Sequence, residues 1–219
     1  MEKFADRHQA GTILAKRLHE YERKSNGIVL ALPRGGVPVA YEIAQALSLP
    51  LDVFIVRKLG VPGHEELAMG AIASGGTLFF NEDIVHSMDI PQRRIQAVID
   101  SEQKELARRE ALYRQGKPFP SLTGKTVILV DDGIATGATI HAAIKALRKL
   151  KPEQIILAVP VAALSTCREL AREVEGIICP LQPVDFYAVG LWYDDFSQTT
   201  DEEVSQLLRK TNSVRHSVH

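Results

Sequence analysis

Four short runs of this sequence are apolar at almost every position, and they constrain the fold more than any other feature. The runs are GIVLAL, LDVFIV, TVILV and QIILAVPV, at residues 27–32, 51–56, 126–130 and 154–161. A strand with one face in water alternates apolar and polar residues, whereas a strand covered on both faces is apolar throughout. The runs therefore predict strands of a parallel sheet that is buried on both faces.

Segments with helical spacing separate these strands. Residues 4–21 place apolar or small side chains at helical intervals, and further helices are predicted from Pro38 onward and over 91–115, 137–150 and 164–175. This alternation predicts an α/β fold, doubly wound, with a mainly parallel central sheet and helices on both of its faces.

Several segments interrupt the alternation. Residues 57–69 mix charges with glycine and proline and show no periodicity, which predicts a long loop. Two short strands are predicted to meet at residues 74–76, and two more are predicted at 176–180 and 185–192. The last nine residues, 211–219, show no pattern and are expected to be irregular.

Unusual residues follow three of the predicted strands. Pro33-Arg34-Gly35-Gly36 follows the first strand, Arg57-Lys58 follows the second, and Asp131-Asp132 follows the third. The carboxyl ends of parallel strands meet at one edge of the sheet, which is where ligands of such folds bind. We therefore expect these three segments to lie together.

The third segment joins two carboxylates to a turn that suits phosphate. After Asp131 and Asp132, residues 133–139 open a predicted helix, whose first amides lack partners and lie at the positive end of the helix dipole. Such a turn binds phosphate, and two threonines and a glycine within it add hydroxyl donors and room for close approach. The Walker A and Rossmann fingerprints are both absent.

A sugar phosphate satisfies both parts of this segment, because its phosphate suits the turn and two neighbouring hydroxyls can donate to the carboxylates. The alternative is that Asp131 and Asp132 only end the strand and cap the turn. Arg34 and the two glycines after it suit pyrophosphate, or else form a strand-to-helix turn that needs glycine for its geometry. Arg57 and Lys58 add positive charge to the same predicted edge.

Composition argues against nucleic acid and membrane partners. A formal net charge of −1 over 219 residues gives no general attraction to either surface. The longest apolar run, 155–164, is about half as long as a membrane-spanning helix needs to be. The first 18 residues carry charges throughout and show no apolar core of a signal peptide. Cys167 and Cys179 are expected to be buried, reduced thiols. These features predict a soluble, cytoplasmic protein.

VILVDDGIATGAT, at residues 127–139, resembles the phosphoribosyl-pyrophosphate (PRPP) signature of the type I phosphoribosyltransferases. LPRGG, at 32–36, is similar to the pyrophosphate loop of that family. RKLGVPGHEELAMGAIASGG, at 57–76, resembles its mobile flap, and DFYAVGLWYDDF, at 185–196, is similar to its base-binding hood.

The resemblance implies a single phosphoribosyltransferase-like domain over residues 1–219. It implies a flexible flap loop over about 57–76 and a small hood built from about 1–25 and 177–200. It also implies a homodimer, with small-molecule substrates as partners.

The implied reaction is a Mg²⁺-dependent transfer of 5-phosphoribose from PRPP to a nitrogenous base of purine or pyrimidine type, with release of pyrophosphate. Asp131 and Asp132 would hold the ribose hydroxyls, and Mg²⁺ would lie near them, carried mainly by substrate oxygens and water. The implied contacts are Ile134, Ala135, Thr136, Gly137, Ala138 and Thr139 for the 5′-phosphate, Arg34, Gly35, Gly36, Arg57 and Lys58 for pyrophosphate, and Phe186, Tyr187 and Trp192 as candidates for stacking on the base.

Ala135 leaves the acceptor base open, because the family's 6-oxopurine enzymes have an aspartate at that place. His64, Glu65 and Glu66 in the implied flap are either proton-transfer groups or solvated loop charges. The alternative to an enzyme is a protein that senses PRPP or a nucleotide with the same pocket and without turnover. A hydrolase that uses this pocket is a third hypothesis.

Overall fold

The computed structural model describes the backbone of residues 3–216 and the side chains of residues 3–211. The strands are β1 (Gly27–Ala31), β2 (Leu51–Val53), β3 (Val56–Val61), β4 (His64–Ala73), β5 (Thr77–Phe80), β6 (Thr126–Val130), β7 (Gln154–Ala158) and β8 (Gly176–Ile178). The helices are α1 (Arg7–Arg17), α2 (Gly36–Leu47), α3 (Glu82–Ser87), α4 (Gln92–Arg114), α5 (Ala138–Lys149), α6 (Leu164–Leu170) and α7 (Asp201–His216).

Five parallel strands form the central sheet in the order β2-β1-β6-β7-β8. The chain leaves β1 for the β2 side and later returns to the β6 side, so the strand order switches between β1 and β6. Ala31 and Val130, the last residues of β1 and β6, lie directly opposite each other. The loops that follow these two strands therefore start side by side.

Helices cover both faces of this sheet, which confirms the predicted doubly wound α/β fold. Alternate strand residues such as Val29 and Val130 pack with α1, α2 and α7. Their neighbours, such as Leu30 and Leu129, pack with α5 and α6 on the other face. Burial on both faces is the reason why the strands are apolar at every position.

The prediction of a long loop over 57–69 is wrong. Strands β3 and β4 form an antiparallel hairpin there, and β5 completes a three-stranded sheet, as the predicted strand pair around 74–76 required. The register of the hairpin shifts on both sides of Gly60, and residues 64–67 are exposed. The bulge and the exposure remove the alternation by which strands are recognised. Most of residues 57–76, the predicted flap, therefore lie in this hairpin.

Three smaller predictions also need correction. The apolar run 51–56 is divided between the two sheets, because β2 ends at Val53 and β3 begins at Val56. Residues 185–192 form no strand and end in a 3-10 turn, Val189–Trp192. Helix α6 ends at Leu170, short of the predicted residue 175.

Helix α7 was not predicted, although its sequence has the pattern of an amphipathic helix. Thr200 accepts a hydrogen bond from the Glu203 amide at its start, where three acidic residues follow. Val204, Leu207 and Leu208 are buried against the core. The helix includes residues 211–216 of the tail that was expected to be irregular, and residues 217–219 lie outside the described residues.

The two segments that are predicted to form the hood, about 1–25 and 177–200, contact each other. Phe4 donates its amide to Trp192 O at 2.9 Å, and its carbonyl accepts from the Asp194 amide at 2.8 Å. Phe186 and Tyr193 are buried with Phe4 in a separate apolar cluster. Within the described part of the chain, no helix has the length and apolar character that a membrane crossing requires.

Arg114, at the end of α4, links that helix to both sheets. Its guanidinium donates to Asp52 Oδ1 at 3.0 Å and to Val53 O at 2.7 Å in the central sheet, and reaches Ser74 Oγ at 3.4 Å beyond β4. Only 7% of Arg114 is exposed. Burial raises the pKa of the Asp52 carboxyl, and the arginine beside it opposes that rise.

We expect the Arg114→Met variant to lower the free energy of unfolding by about 3 kcal/mol, because it leaves Asp52 and two buried acceptors without their donor. Arg108→Met is the control, because Arg108 is exposed and pairs with Glu105 on its own helix. An exposed pair of this kind adds little to stability, so the control should unfold close to the wild type. Urea unfolding followed by circular dichroism measures both variants, and equal losses would contradict the assignment of Arg114 as the link.

Candidate active site

The loops after β1 and β6 are in direct contact. A Cβ atom placed on Gly35 would overlap Asp132 Oδ2, and one on Gly36 would lie 2.8 Å from Val130 O. Glycine is therefore required where the first loop crosses the second. The structure brings Arg34, Gly35 and Gly36 to the acid pair, as the shared sheet edge predicted.

Each of the two aspartates has one oxygen fixed by the protein. Asp131 Oδ1 accepts from the Asp132 amide at 2.8 Å. Asp132 Oδ2 accepts from Arg7 Nε at 3.0 Å, and 15% and 12% of these two side chains are exposed. Among the described residues, nothing outside the pair bonds to Asp131 Oδ2 or Asp132 Oδ1. Two carboxylate oxygens are thus available to a ligand.

Burial and mutual repulsion disfavour a negative charge on both members of the acid pair at once. Burial raises the pKa of Asp131 well above its usual range, and the neighbouring Asp132 raises it further, while Arg7 opposes the rise. Tyr193 Oη donates to Asp132 O at 2.6 Å, and burial followed by the charge of Asp132 raises the pKa of Tyr193. The pair therefore favours a ligand that brings hydroxyl donors or positive charge.

The turn over residues 134–139 is held at one end and open at the other. Ile134 is buried, and its amide donates to Val161 O at 2.9 Å beyond β7, so this amide is occupied. Within the described residues, the amides of Ala135, Thr136 and Gly137 have no acceptor. Gly137 has a φ of 83°, a value that favours glycine, and the turn leads directly into α5.

Arg34 lies between this site and the C-terminal helix. Its Nη1 is 3.8 Å from Asp201 Oδ1, which also accepts from Tyr113 Oη at 2.6 Å. Burial and the hydrogen bond to Asp201 raise the pKa of Tyr113 to about 12. The guanidinium is partly exposed and held by a long ion pair, so it can turn toward an anion.

Arg57 and Lys58 do not follow a strand of the central sheet, which corrects the prediction that they share its edge. Both belong to β3, where successive side chains point to opposite faces. Arg57 Nε pairs with Glu102 Oε2 of α4 at 2.7 Å. Lys58 lines a cavity of about 230 Å³ together with Ala138 and Thr139 at the start of α5.

The three candidate stacking aromatics occupy different environments. Phe186 is 8% exposed in the hood core, and its carbonyl accepts from Trp192 Nε1 at 3.0 Å. Tyr187 is 83% exposed. Of the three, Tyr187 presents the most ring surface to solvent. His64, Glu65 and Glu66 are exposed on the hairpin, and Glu65 Oε1 accepts from the Gly63 amide at 3.3 Å.

Arg7 and Tyr193 belong to this site, although no sequence pattern indicated it. Each contacts Asp132 across more than sixty residues of sequence, and nothing in the spacing of either segment points to the acid pair. Gly133 was counted only as part of the turn, yet a Cβ there would lie 2.5 Å from Val189 of the hood. These contacts depend on how the hood docks.

A family model described as the phosphoribosyl transferase domain matches residues 4–187. The chain belongs to the phosphoribosyl transferase family. This confirms the predicted membership of that family.

Curated relatives agree with this membership. The chain is 42% identical over 212 residues to a Mycobacterium tuberculosis (strain H37Rv) protein whose name provisionally assigns it to the phosphoribosyl transferases. The match covers 97% of this chain and 48% of that protein, so the chain spans about half the length of this relative. It is 31% identical over 160 residues to the "Bifunctional protein PyrR" of Leifsonia xyli subsp. xyli, covering 72% of this chain and 70% of that one.

Among solved structures, TT1426 from Thermus thermophilus superimposes with a TM-score of 0.83 and 36% sequence identity. The match covers 95% of this chain and 98% of that one. The fold described above therefore matches this solved structure over almost its whole length.

Because the pKa of Asp131 is raised, we expect this carboxyl to lower the free energy of unfolding at pH values above its usual range of titration. The folded state keeps a proton on Asp131 that the unfolded chain releases, so stability falls as pH rises from the unfolded pKa toward the folded one. An asparagine at this position can still accept from the Asp132 amide and carries no charge. We expect Asp131→Asn to be more stable than wild type by about 1 kcal/mol or more at pH 8, with a smaller gap at pH 4.

Urea unfolding at the two pH values measures this gap. Asp83→Asn, at an exposed position on α3, should show none. A gap that stayed the same at pH 4 and pH 8 would contradict the account of Asp131.

Proposed function

We propose that this protein is a phosphoribosyltransferase that transfers 5-phosphoribose from PRPP to a nitrogenous base and releases pyrophosphate. The observation that carries the proposal is the pair of available carboxylate oxygens, on Asp131 and Asp132, beside a helix-opening turn with unbonded amides. A ribose 5-phosphate unit offers two hydroxyl donors and one phosphate, which match these two features. A neutral sugar also separates the phosphate from the carboxylates.

In the proposed complex, Asp131 Oδ2 and Asp132 Oδ1 accept from the two ribose hydroxyls. The turn from Ile134 to Thr139 holds the 5′-phosphate, with the amides of residues 135–137 as its main donors and the exposed hydroxyls of Thr136 and Thr139 beside them. Ile134 contributes by fixing the turn to Val161 rather than by donating its own amide.

Arg34 and the amide of Gly35 take the pyrophosphate. The Gly36 amide already donates to Leu32 O at 3.1 Å, so Gly36 contributes the room for close approach rather than a donor. Arg57 and Lys58 belong to the same proposed set. Lys58 is the better placed of the two, because it lines the cavity beside Ala138 and Thr139, whereas Arg57 pairs with Glu102 of α4. A sugar that loses pyrophosphate gains positive character, so the reaction depends on positioning, on stabilising the leaving group and on excluding water. The hairpin is the candidate cover for the last task.

Mg²⁺ is the proposed cofactor. Within residues 3–211, no group of three or more His, Cys, Asp or Glu side chains is arranged to hold a metal ion. The two carboxylates of Asp131 and Asp132 fit a Mg²⁺ that arrives on the oxygens of PRPP, retains water and meets at most one or two protein carboxylates. When bound, the ion would neutralise charge on the pyrophosphate.

The acceptor is a base of purine or pyrimidine type. Ala135 is exposed in the turn between β6 and α5 and offers no carboxylate to the base. Tyr187 is the proposed stacking residue because its ring is open, whereas Phe186 and Trp192 also serve the hood core. The proposal places this enzyme in nucleotide metabolism and salvage, in the cytoplasm and as a homodimer.

Calorimetry with PRPP and Mg²⁺ tests the donor site. The Asp131→Asn, Asp132→Asn double variant is expected to bind PRPP about 100-fold more weakly, because it loses two hydrogen bonds to charged acceptors. Glu82→Gln with Asp83→Asn, a pair of adjacent exposed acids on α3, is the matched control and should bind as wild type does. Absence of PRPP binding by the wild type would refute the proposal.

Pyrophosphate release with a panel of purine and pyrimidine bases separates an enzyme from a sensor. We expect release with at least one base and none with PRPP alone. Release from PRPP without any base would favour the hydrolase. Tight PRPP binding with no release for any base would favour a sensing role.

A further inference from the structure

Asp132 belongs to a closed ring of contacts with the hood. Arg7 Nε donates to Asp132 Oδ2, and the Arg7 guanidinium carbon lies 4.1 Å from the centre of the Phe196 ring. The Phe196 ring centre lies 5.1 Å from that of Tyr193. The Tyr193 hydroxyl donates to Asp132 O and closes the ring of contacts. Both the side chain and the backbone of one site acid are thus held by the hood.

Arg7 also fixes the backbone of the C-terminal hood segment, residues 193–197. Its Nη1 donates to Ser197 O at 2.6 Å. The rest of this segment is attached to the chain just before α1, through the amides of Asp194 and Asp195, which donate to Phe4 O and Ala5 O. The Arg7 side chain therefore connects the Asp132 carboxylate to this segment, whereas Tyr193, within the segment, bonds only to the Asp132 backbone.

We propose that Arg7 is a positioning residue through which occupation of Asp132 by the ribose orders hood segment 193–197, the neighbour of the acceptor side. The inference rests on the proposed function, because it takes PRPP as the ligand of Asp132. It adds a link between the donor half and the acceptor half of the site.

The geometry around Asp132 explains how this link works. Gly35 closes the side of Oδ2, so a ribose hydroxyl approaches Oδ1. A carboxylate held at Oδ1 by ribose cannot rotate, and its Oδ2 then fixes the Arg7 guanidinium. Because the planar guanidinium is rigid, fixing its Nε also fixes its contacts with Ser197 O and the Phe196 ring. Linkage is reciprocal, so an ordered hood also strengthens PRPP binding.

Hydrogen exchange of the full chain with and without PRPP and Mg²⁺ tests the link. In the wild type, saturating PRPP should slow exchange of the amides in 193–197 by about threefold or more. In Arg7→Met, PRPP should bind about 5- to 20-fold more weakly through the remaining contacts, and at saturation it should leave exchange in 193–197 unchanged. Arg17→Met, at an exposed position on the same helix, should behave as wild type.

Arg7→Lys keeps the charge without the rigid fork. It should recover most of the PRPP affinity and little of the hood protection, a separation that a merely structural role would not produce. The urea midpoint of each variant shows whether it is folded, and Arg7→Lys serves if Arg7→Met is not.

Two results would overturn the inference. One is that saturating PRPP slows amide exchange in residues 193–197 of Arg7→Met or Arg7→Lys as much as it does in the wild type. The other is a wild type that binds PRPP without any change in this segment. A wild type that does not bind PRPP would refute the proposed function, and this inference with it.

Discussion

The pairing of β1 with β6 is the interaction on which the rest of the site depends. Backbone hydrogen bonds place Ala31 opposite Val130, so the two loops leave the sheet at the same height. Only glycine at position 35 lets the first loop cross the Asp132 carboxylate. The apolar residues of both strands, buried against helices on each face, hold this register, because a shift of one residue would turn every side chain to the opposite face.

The site concentrates charge where burial disfavours it. Asp131 is adjacent to a second acid, and the resulting rise in its pKa is a cost to the folded, ligand-free protein. Arg7 and the backbone amide of Asp132 offset part of that cost. A ligand that brings hydroxyl groups and a metal ion removes more of it, so binding energy and the relief of this strain act in the same direction.

The sequence was sufficient for the parts of the molecule that local patterns control. Burial on both faces made β1, β6 and β7 recognisable, and the adjacent acids with the turn after them pointed to the family that the family model confirms. It failed where tertiary contacts override pattern. The β3–β4 hairpin has a bulge at Gly60 and an exposed outer end, so it lacks a period, and the run 51–56 hides a change of sheet.

The hood shows the same limit for functional residues. Arg7 is one of many arginines in the sequence, and Tyr193 one of several aromatics in its segment. Their roles arise from docking Phe4 against residues 192–194, a contact between opposite ends of the chain. Phe186 and Tyr187 are adjacent and similar in chemistry, yet one is buried and the other exposed. The backbone sets this difference, because the chain turns at Tyr187, whose φ is 59°.

The division of the run 51–56 has a mechanical consequence. Only Phe54 and Ile55 connect the two sheets there, and both are fully or almost fully buried, so the inner end of the hairpin is clamped. Arg114 holds the same junction from the other side. The ladder of the hairpin is interrupted at Gly60, where its register shifts. If the hairpin covers the site as proposed, we expect its outer half to bend about Gly60 while its inner half stays fixed.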